Sequence, residues 1–241
     1  PESTGGGVDM IRPAVTLGEA KAAAREFLGK SLTNEATGMI ATVSGKSLNK
    51  MTSLSAYSQS SSVGLHAATV ANADTLFQRA SHGWKKADRA GDTNVPYIHR
   101  FFVPINTPGG RMGMAKLTVK EIATAGDVNR IYTVEAVETA EGASAVTWTA
   151  AAIKADGIDP ISVRPAEAVQ NMARQVDDFN AAHDAIAKAR AAIEAEPDLT
   201  LRMGAGQDAR EVSLADLLDD LDRDDALVRS MTSCSLKGTP K

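Results

Sequence analysis

Tyr97-Ile-His-Arg-Phe-Phe-Val-Pro-Ile-Asn106 and Arg111-Met-Gly-Met-Ala-Lys-Leu-Thr-Val-Lys-Glu-Ile122 decide how the chain reads. Both alternate side chains with a period of two, the signature of a half-buried strand. Thr107-Pro-Gly-Gly lies between them and is a turn signal. Outward from this pair, Arg130–Glu138 and Ala143–Ala150 read as two further strands, set off by Ala125-Gly-Asp and Glu141-Gly. Four strands joined by short turns imply an antiparallel meander. In the second strand Leu117 and Val119 point one way, and Lys116, Thr118 and Lys120 the other. One face is therefore expected to be apolar and the other wet and cationic.

Before Tyr97 the period is helical. Residues 17–30 place Leu17, Ala20, Ala24 and Leu28 on one face, and residues 63–80 do the same with Val63, Ala67, Val70, Ala73 and Phe77. A short strand is expected from Gly38 to Val43, and a small helix over Lys46–Leu54. After the meander, a loop at Ala155–Val163 leads into a long helix over residues 165–195. Pro165 suits its first turn, Val169, Met172, Val176, Phe179, Ile186 and Ile193 form an apolar seam, and Pro197 ends it. The seam must pack on another element or a partner chain, since exposing it is costly. Leu199–Met203 reads as a short strand and Gly204-Ala-Gly as a turn. Ser213 and Asp216 resemble a capping box opening a last amphipathic helix. The fold class is thus α+β: N-terminal helices, then a four-stranded antiparallel sheet, then a mostly helical C-terminal region. The expected divisions are a disordered tail at 1–16, an α+β domain at 17–155 and a helical region at 156–241.

Composition narrows the chemistry. The 241 residues are 43% hydrophobic but only 4% aromatic, so the core is expected to be aliphatic. No apolar run approaches the roughly 18 residues of a membrane helix, and the N-terminus has no signal-peptide pattern. It also lacks an initiator Met, which suggests a piece of a longer chain. Cys234 is the one cysteine and cannot form an internal disulfide. His66, His82, His99 and His183 show no ligand spacing, so neither a metal nor another cofactor is expected. Gly45-Lys46-Ser47 lacks the glycine of a P-loop, whose place Ile40 holds; Ser44 reads better as a helix cap. Cys234 lies near many carboxylates, which oppose thiolate formation, and no G-x-S-x-G elbow is present. The cluster Asp219, Asp220, Asp222, Asp224 lacks the glycine and terminal glutamate of a calcium loop and reads as a solvated face.

Charge is uneven. Residues 1–150 carry 15 basic and 13 acidic side chains, and residues 151–241 carry 11 and 17. Within the first part, residues 44–130 hold 11 basic and 5 acidic groups. Such a stretch reads either as an ordinary solvated surface or as one that meets phosphate. On the meander, His99, Tyr132 and Glu135 are the candidate proton-transfer groups, with Arg100, Lys116, Lys120, Lys46 and Lys50 as candidate nucleic-acid contacts. A metal-independent RNase needs a base, an acid and cations for the phosphorane charge. Alternation sets Arg100 opposite His99, so both face one cleft only if the strand is bulged or one sits at its edge. His66 falls on the apolar side of its helix and reads as a buried, hydrogen-bonded histidine.

The runs Gly38-Met-Ile-Ala-Thr-Val-Ser-Gly-Lys-Ser-Leu-Asn-Lys-Met, Leu65-His-Ala-Ala, Ile98-His-Arg-Phe-Phe, Ala115-Lys-Leu-Thr-Val-Lys-Glu and Arg130-Ile-Tyr-Thr-Val-Glu-Ala-Val occur in an order that resembles the large polyvalent protein-associated domains of phages and conjugative elements. The likeness covers roughly residues 17–140. It implies a module of a very long protein, packaged in the virion or transferred with DNA, that acts in the host cytoplasm to protect the genome or to act on the host. Some related phage modules share the barnase, RelE and colicin-type RNase fold. Two expectations follow. One is a nuclease-like module that binds and cleaves RNA. The other is a non-catalytic structural, delivery or anti-defence binding module, with phage or host proteins as partners. Neither involves a membrane. A wet cleft holding His99, Lys116 and Glu135 favours the first; burial or scattering of these groups favours the second.

Overall fold

The computed structural model describes residues 6–88, 94–123, 130–140, 144–158, 164–195, 200–203, 210–213 and 216. The chain divides into two compact units, Pro1–Ala181 and Ala182–Lys241. The first contains α1 (Leu17–Ala23), β1 (Leu32–Thr33), β2 (Ile40–Thr42), α2 (Gly45–Met51), α3 (Leu54–Tyr57), α4 (Val63–Ala71), α5 (Ala73–Arg79), β3 (Ser81–Ala87), β4 (Tyr97–Asn106), β5 (Met112–Ala123), β6 (Arg130–Ala140), α6 (Ala145–Asp156) and the start of α7 (Arg164–Ala195). The second contains the rest of α7 and an antiparallel pair, β7 (Thr200–Met203) and β8 (Arg210–Ser213). The expected final helix lies outside the described residues.

The sheet is α+β in class but has six strands, ordered β1-β2-β6-β5-β4-β3, and is mixed. The central meander β4-β5-β6 forms where the alternation predicts it, with His99 opposite Val119 and Phe101 opposite Leu117. Gly109 and Gly110 both adopt positive φ in the turn between β4 and β5, which few other residues tolerate. The fourth antiparallel strand is β3, on the outer side of β4. Ala143–Ala150 is not a strand: from Ala145 onward it opens α6. Its Val-Thr-Trp-Thr alternation is only four residues long, and an alanine-rich run with strong helix propensity follows. Ser144 caps the first turn, Gly157 closes the helix at φ 70°, and Ala145, Thr149, Ala152 and Ile153 form the buried stripe. β2 pairs in parallel with β6, a non-local contact that no turn signal announces.

Residues 6–16, read as the end of a disordered tail, are tied to the fold: Val8 bridges to β4, its N–H donating to the Pro104 carbonyl at 2.8 Å. Arg12 then clamps onto Asp74 at 2.7 Å. Thr16 and Glu19 form a full capping box that starts α1.

Helices cover both faces of the sheet. One face carries Phe101, Val103, Leu117, Val119 and Val137 into a core with α1, α2, α4 and α5. The other carries Phe102, Met112 and Met114 beneath α6 and α7, against Ile153, Val169 and Val176. The face expected to be wet and cationic is therefore largely covered, and α6 and the start of α7 belong to the same unit as the sheet, beyond the expected border at 155. Gly83 makes the close approach possible, since a Cβ there would stand 2.9 Å from the Phe102 ring and 3.3 Å from Val169. Asp177 of α7 accepts the Ala145 and Val146 N–H groups and so caps α6. The seam of α7 is buried at Val169 and Val176, whereas Phe179 is 43% and Ile186 55% exposed.

Candidate functional site

β3 and the meander together bring four polar side chains onto the face of Phe101 and Val119. His99 is 5% exposed and Glu121 1%. The His99 Nε2–H donates to Glu121 Oε2 at 2.9 Å, because a carboxylate oxygen can only accept. On the other side of the ring, His99 Nδ1 lies within hydrogen-bond reach of His82 Nε2, at 3.2 Å. The three groups thus stand in a row, His82, His99, Glu121. Burial first, and then His99 and Lys85 nearby, push the His82 pKa down to about 4. Tyr132 meets the His99 ring edge-on at 5.6 Å between centroids. Lys85 lies over the Tyr97 ring at 4.5 Å.

Glu135 does not join this group. It is the extra residue of a bulge in β6: Thr118 pairs with Ala136 and Val119 with Val134, leaving Glu135 without an opposite number. Its carboxylate instead accepts from the Ser47 hydroxyl at 3.0 Å and stands 3.8 Å from Lys50 Nζ. Lys50 is on α2 and exposed, as is Lys46. Ser44 caps α2 as expected, accepting from Ser47 N–H at 3.0 Å.

Arg100, one residue from His99, faces the other layer. Its guanidinium bonds Asp156 of α6 at 2.8 and 3.2 Å and also reaches Thr118. Asp156 takes two more donors, Trp84 Nε1 at 2.9 Å and Lys86 Nζ. Burial alone would raise this carboxyl; the bonds from Arg100, Lys86 and Trp84 outweigh it and hold the group well below the usual carboxylate range. Lys116 pairs with Glu138 at 2.7 Å and lies over the Trp148 ring. Lys120 shares the face of Lys116, as alternation predicts, and is half-buried. The named residues thus fall into three places: His99 with Tyr132, Glu135 with Lys50, and Arg100 with Lys116 and Lys120 across the sheet.

Sequence reasoning missed His82, Glu121 and Asp156. Glu121 had a readable signal, a carboxylate on the stripe of Leu117 and Val119. His82 belongs to β3, whose Ser-His-Gly-Trp-Lys-Lys run is shortened and interrupted by a bulge between His82 and Trp84. Asp156 had none, because it ends a helix whose start was read as a strand and whose end was read as a loop. Among the described residues no group of three His, Cys, Asp or Glu side chains could hold a metal ion, and no helix is long and apolar enough to cross a membrane.

Residues 16–132 match the model of a known family, large polyvalent protein-associated domain 3. The matched stretch includes His82, His99, Glu121 and Tyr132 and ends before Glu135. No curated protein and no solved structure matches the chain.

Proposed function

From the match of residues 16–132 to the model of the large polyvalent protein-associated domain 3 family, we propose that this part of a phage or mobile-element protein is a structural and delivery module, its sheet a scaffold rather than an RNase centre. One observation carries the reading. His99 and Arg100 lie in different layers, and each is already held by a buried carboxylate, Glu121 or Asp156. Phosphoryl transfer needs base, acid and cation around one reacting phosphate. A pair of buried, mutually satisfied clusters instead locks helices to a sheet.

Particles or conjugating cells of the parent element supply the direct test. Mass spectrometry after external protease treatment should recover peptides of this chain from inside the particle or from recipient cells. Their absence from both would remove the delivery role. In parallel, purified protein should leave total RNA intact, and a Lys116→Ala, Lys120→Ala double variant should show the same RNA retention as wild type at low salt, where phosphate contacts are strongest. The RNase reading has one observation in its favour, the ordered His82–His99–Glu121 chain. RNA cleavage by wild type that is lost in His99→Ala would establish it instead.

A further inference from the structure

Of the two histidines outside the sheet, His66 on α4 is fully buried and held on both ring nitrogens, at 2.8 Å from the Met51 carbonyl and 2.8 Å from the Ser60 hydroxyl. It is a strut. His183 on α7 belongs to a different surface. In the second unit the α7 seam runs His183, Ile186, Arg190, Ile193, at steps of three, four and three residues. That spacing holds all four on one stripe, as in a coiled coil. Ile186 is nevertheless 55% exposed, and Ile193 is only half-buried. An apolar stripe left open to water calls for a cover.

We propose that the chain's own final segment, Leu221–Met231, docks antiparallel on this stripe, with Asp224 facing Arg190. The proposal goes beyond the delivery reading and does not depend on it. Leu221, Asp224, Val228 and Met231, outside the described residues, repeat the same steps of three, four and three. The ribbon sets the register. β7 and β8 end abreast, Thr200 beside Ser213. Five residues back from Thr200 is Ala195, the end of α7, and five forward from Ser213 is Leu218. Leu221 thereby comes level with Ile193 to within one residue, and neither arm is stretched. The layers are then Leu221 on Ile193, Asp224 on Arg190, Val228 on Ile186 and Met231 on His183. Apolar residues meet, and the acid of one row meets the guanidinium of the other. A second copy of α7 fits the stripe worse. Parallel pairing sets Arg190 against Arg190, and antiparallel pairing sets it against an apolar position. Ala182–Ala195 is also short for a stable interface between separate chains, which buries roughly 1,200 Å² or more. A tethered segment needs less contact, because its effective concentration is on the order of millimolar.

Two measurements on the full chain test it. In a Cys234→Ser background, Ile186→Cys with Val228→Cys should close a disulfide under mild oxidation about 10-fold or more faster than Ile186→Cys with Leu221→Cys, which lies one heptad out of register. The reaction is run on a mixture of isotope-labelled and unlabelled chains, and peptide mapping should find the link within single chains. Equal rates, or faster closure with Leu221→Cys, overturn the proposal. A link joining labelled to unlabelled chains does so too, and makes the stripe a self-association surface. The second measurement is amide hydrogen exchange. Arg190→Glu should speed exchange of the Ile186–Ile193 amides by about 10-fold or more, and Arg190→Glu with Asp224→Arg should restore the protection. No change in Arg190→Glu, or no recovery in the charge-swapped pair, overturns the docking. If the cysteine variants fail to fold by circular dichroism, the exchange measurement decides alone.

Discussion

On β4, His99 turns toward the N-terminal helices and Arg100 toward α6, and the two neighbourhoods accommodate buried polar groups differently. The His99 side uses a linear chain of two imidazoles ending on one carboxylate, with aromatic rings around it. The Arg100 side gathers two cations and an indole N–H onto a single carboxylate from another element. In the first, burial pushes the His82 pKa down to about 4; in the second, the bonded cations hold the Asp156 carboxyl well below the usual range. Polar alternation on a strand therefore reports only that a side chain leaves the apolar core on one face. It does not report whether water or another layer receives it.

The largest effect expected from breaking this comparison is at Asp156. Asp156→Ala leaves Arg100 and Lys86 beneath α6 without their counter-charge, and removing one partner of a buried pair costs about 3–5 kcal/mol. Denaturant unfolding should show that loss, with near-ultraviolet signals of Trp84 and Trp148 changing too. A loss under about 1 kcal/mol would mean that the hydrophobic contacts of α6 and α7 alone hold that layer.

Acid should separate the two sides next. The folded pKa of His82, about 4, lies below its ordinary 6.5, so the unfolded chain takes up the proton first. Its contribution is fully present above about pH 6.5 and is lost as pH falls toward 4. His66, also depressed by burial, acts with the same sign. Asp156 is depressed as well, but its contribution persists down to the ordinary carboxylate pKa near 4 and is lost only below it. Unfolding free energy measured between about pH 7 and 4.5 should fall in wild type, fall less in His82→Asn, and keep its slope in Asp156→Asn. An unchanged slope in His82→Asn would remove His82 from the account.

Smaller effects sharpen the same contrast. Asn34 is fully buried and donates to the Phe77 and Ala80 carbonyls at 2.6 and 2.7 Å, fastening β1 to the end of α5. Asn34→Ala should cost about 1–3 kcal/mol in denaturant unfolding, because those carbonyls lose their donor. At the other extreme, Lys50 is 55% exposed and 3.8 Å from Glu135. Lys50→Ala should change stability by less than about 1 kcal/mol; a larger loss would show that the β6 bulge depends on that ion pair.

Much of this architecture was legible in particular residues. Period-two runs announced β4, β5 and β6, Thr107-Pro-Gly-Gly announced the turn between β4 and β5, and Ser44 announced the cap of α2. His66 read as a buried, hydrogen-bonded side chain and is one. The candidate site was less legible. Lys116 and Lys120 do share a face, and Arg100 does oppose His99. Yet the Glu121 that binds His99 was overlooked on an apolar stripe, and Glu135 was assigned to a cluster from which a bulge separates it.

Local chemistry in the chain thus determined which segments become strands or helices wherever one period ran long enough, and where Gly, Pro or Ser would punctuate them. Tertiary structure alone decided the rest. A four-residue alternation at Val146–Thr149 cannot outweigh the alanine run that follows, so that segment joined a helix. Strand pairing at a distance placed β2 beside β6, since no local signal encodes a partner that the fold brings in from afar. The bulge at Glu135 re-aimed one carboxylate by adding a residue to one strand only, which a sequence read strand by strand does not contain. The second helical layer turned an expected wet face into a covered one, because alternation fixes the side of a sheet a residue occupies but not what packs against that side.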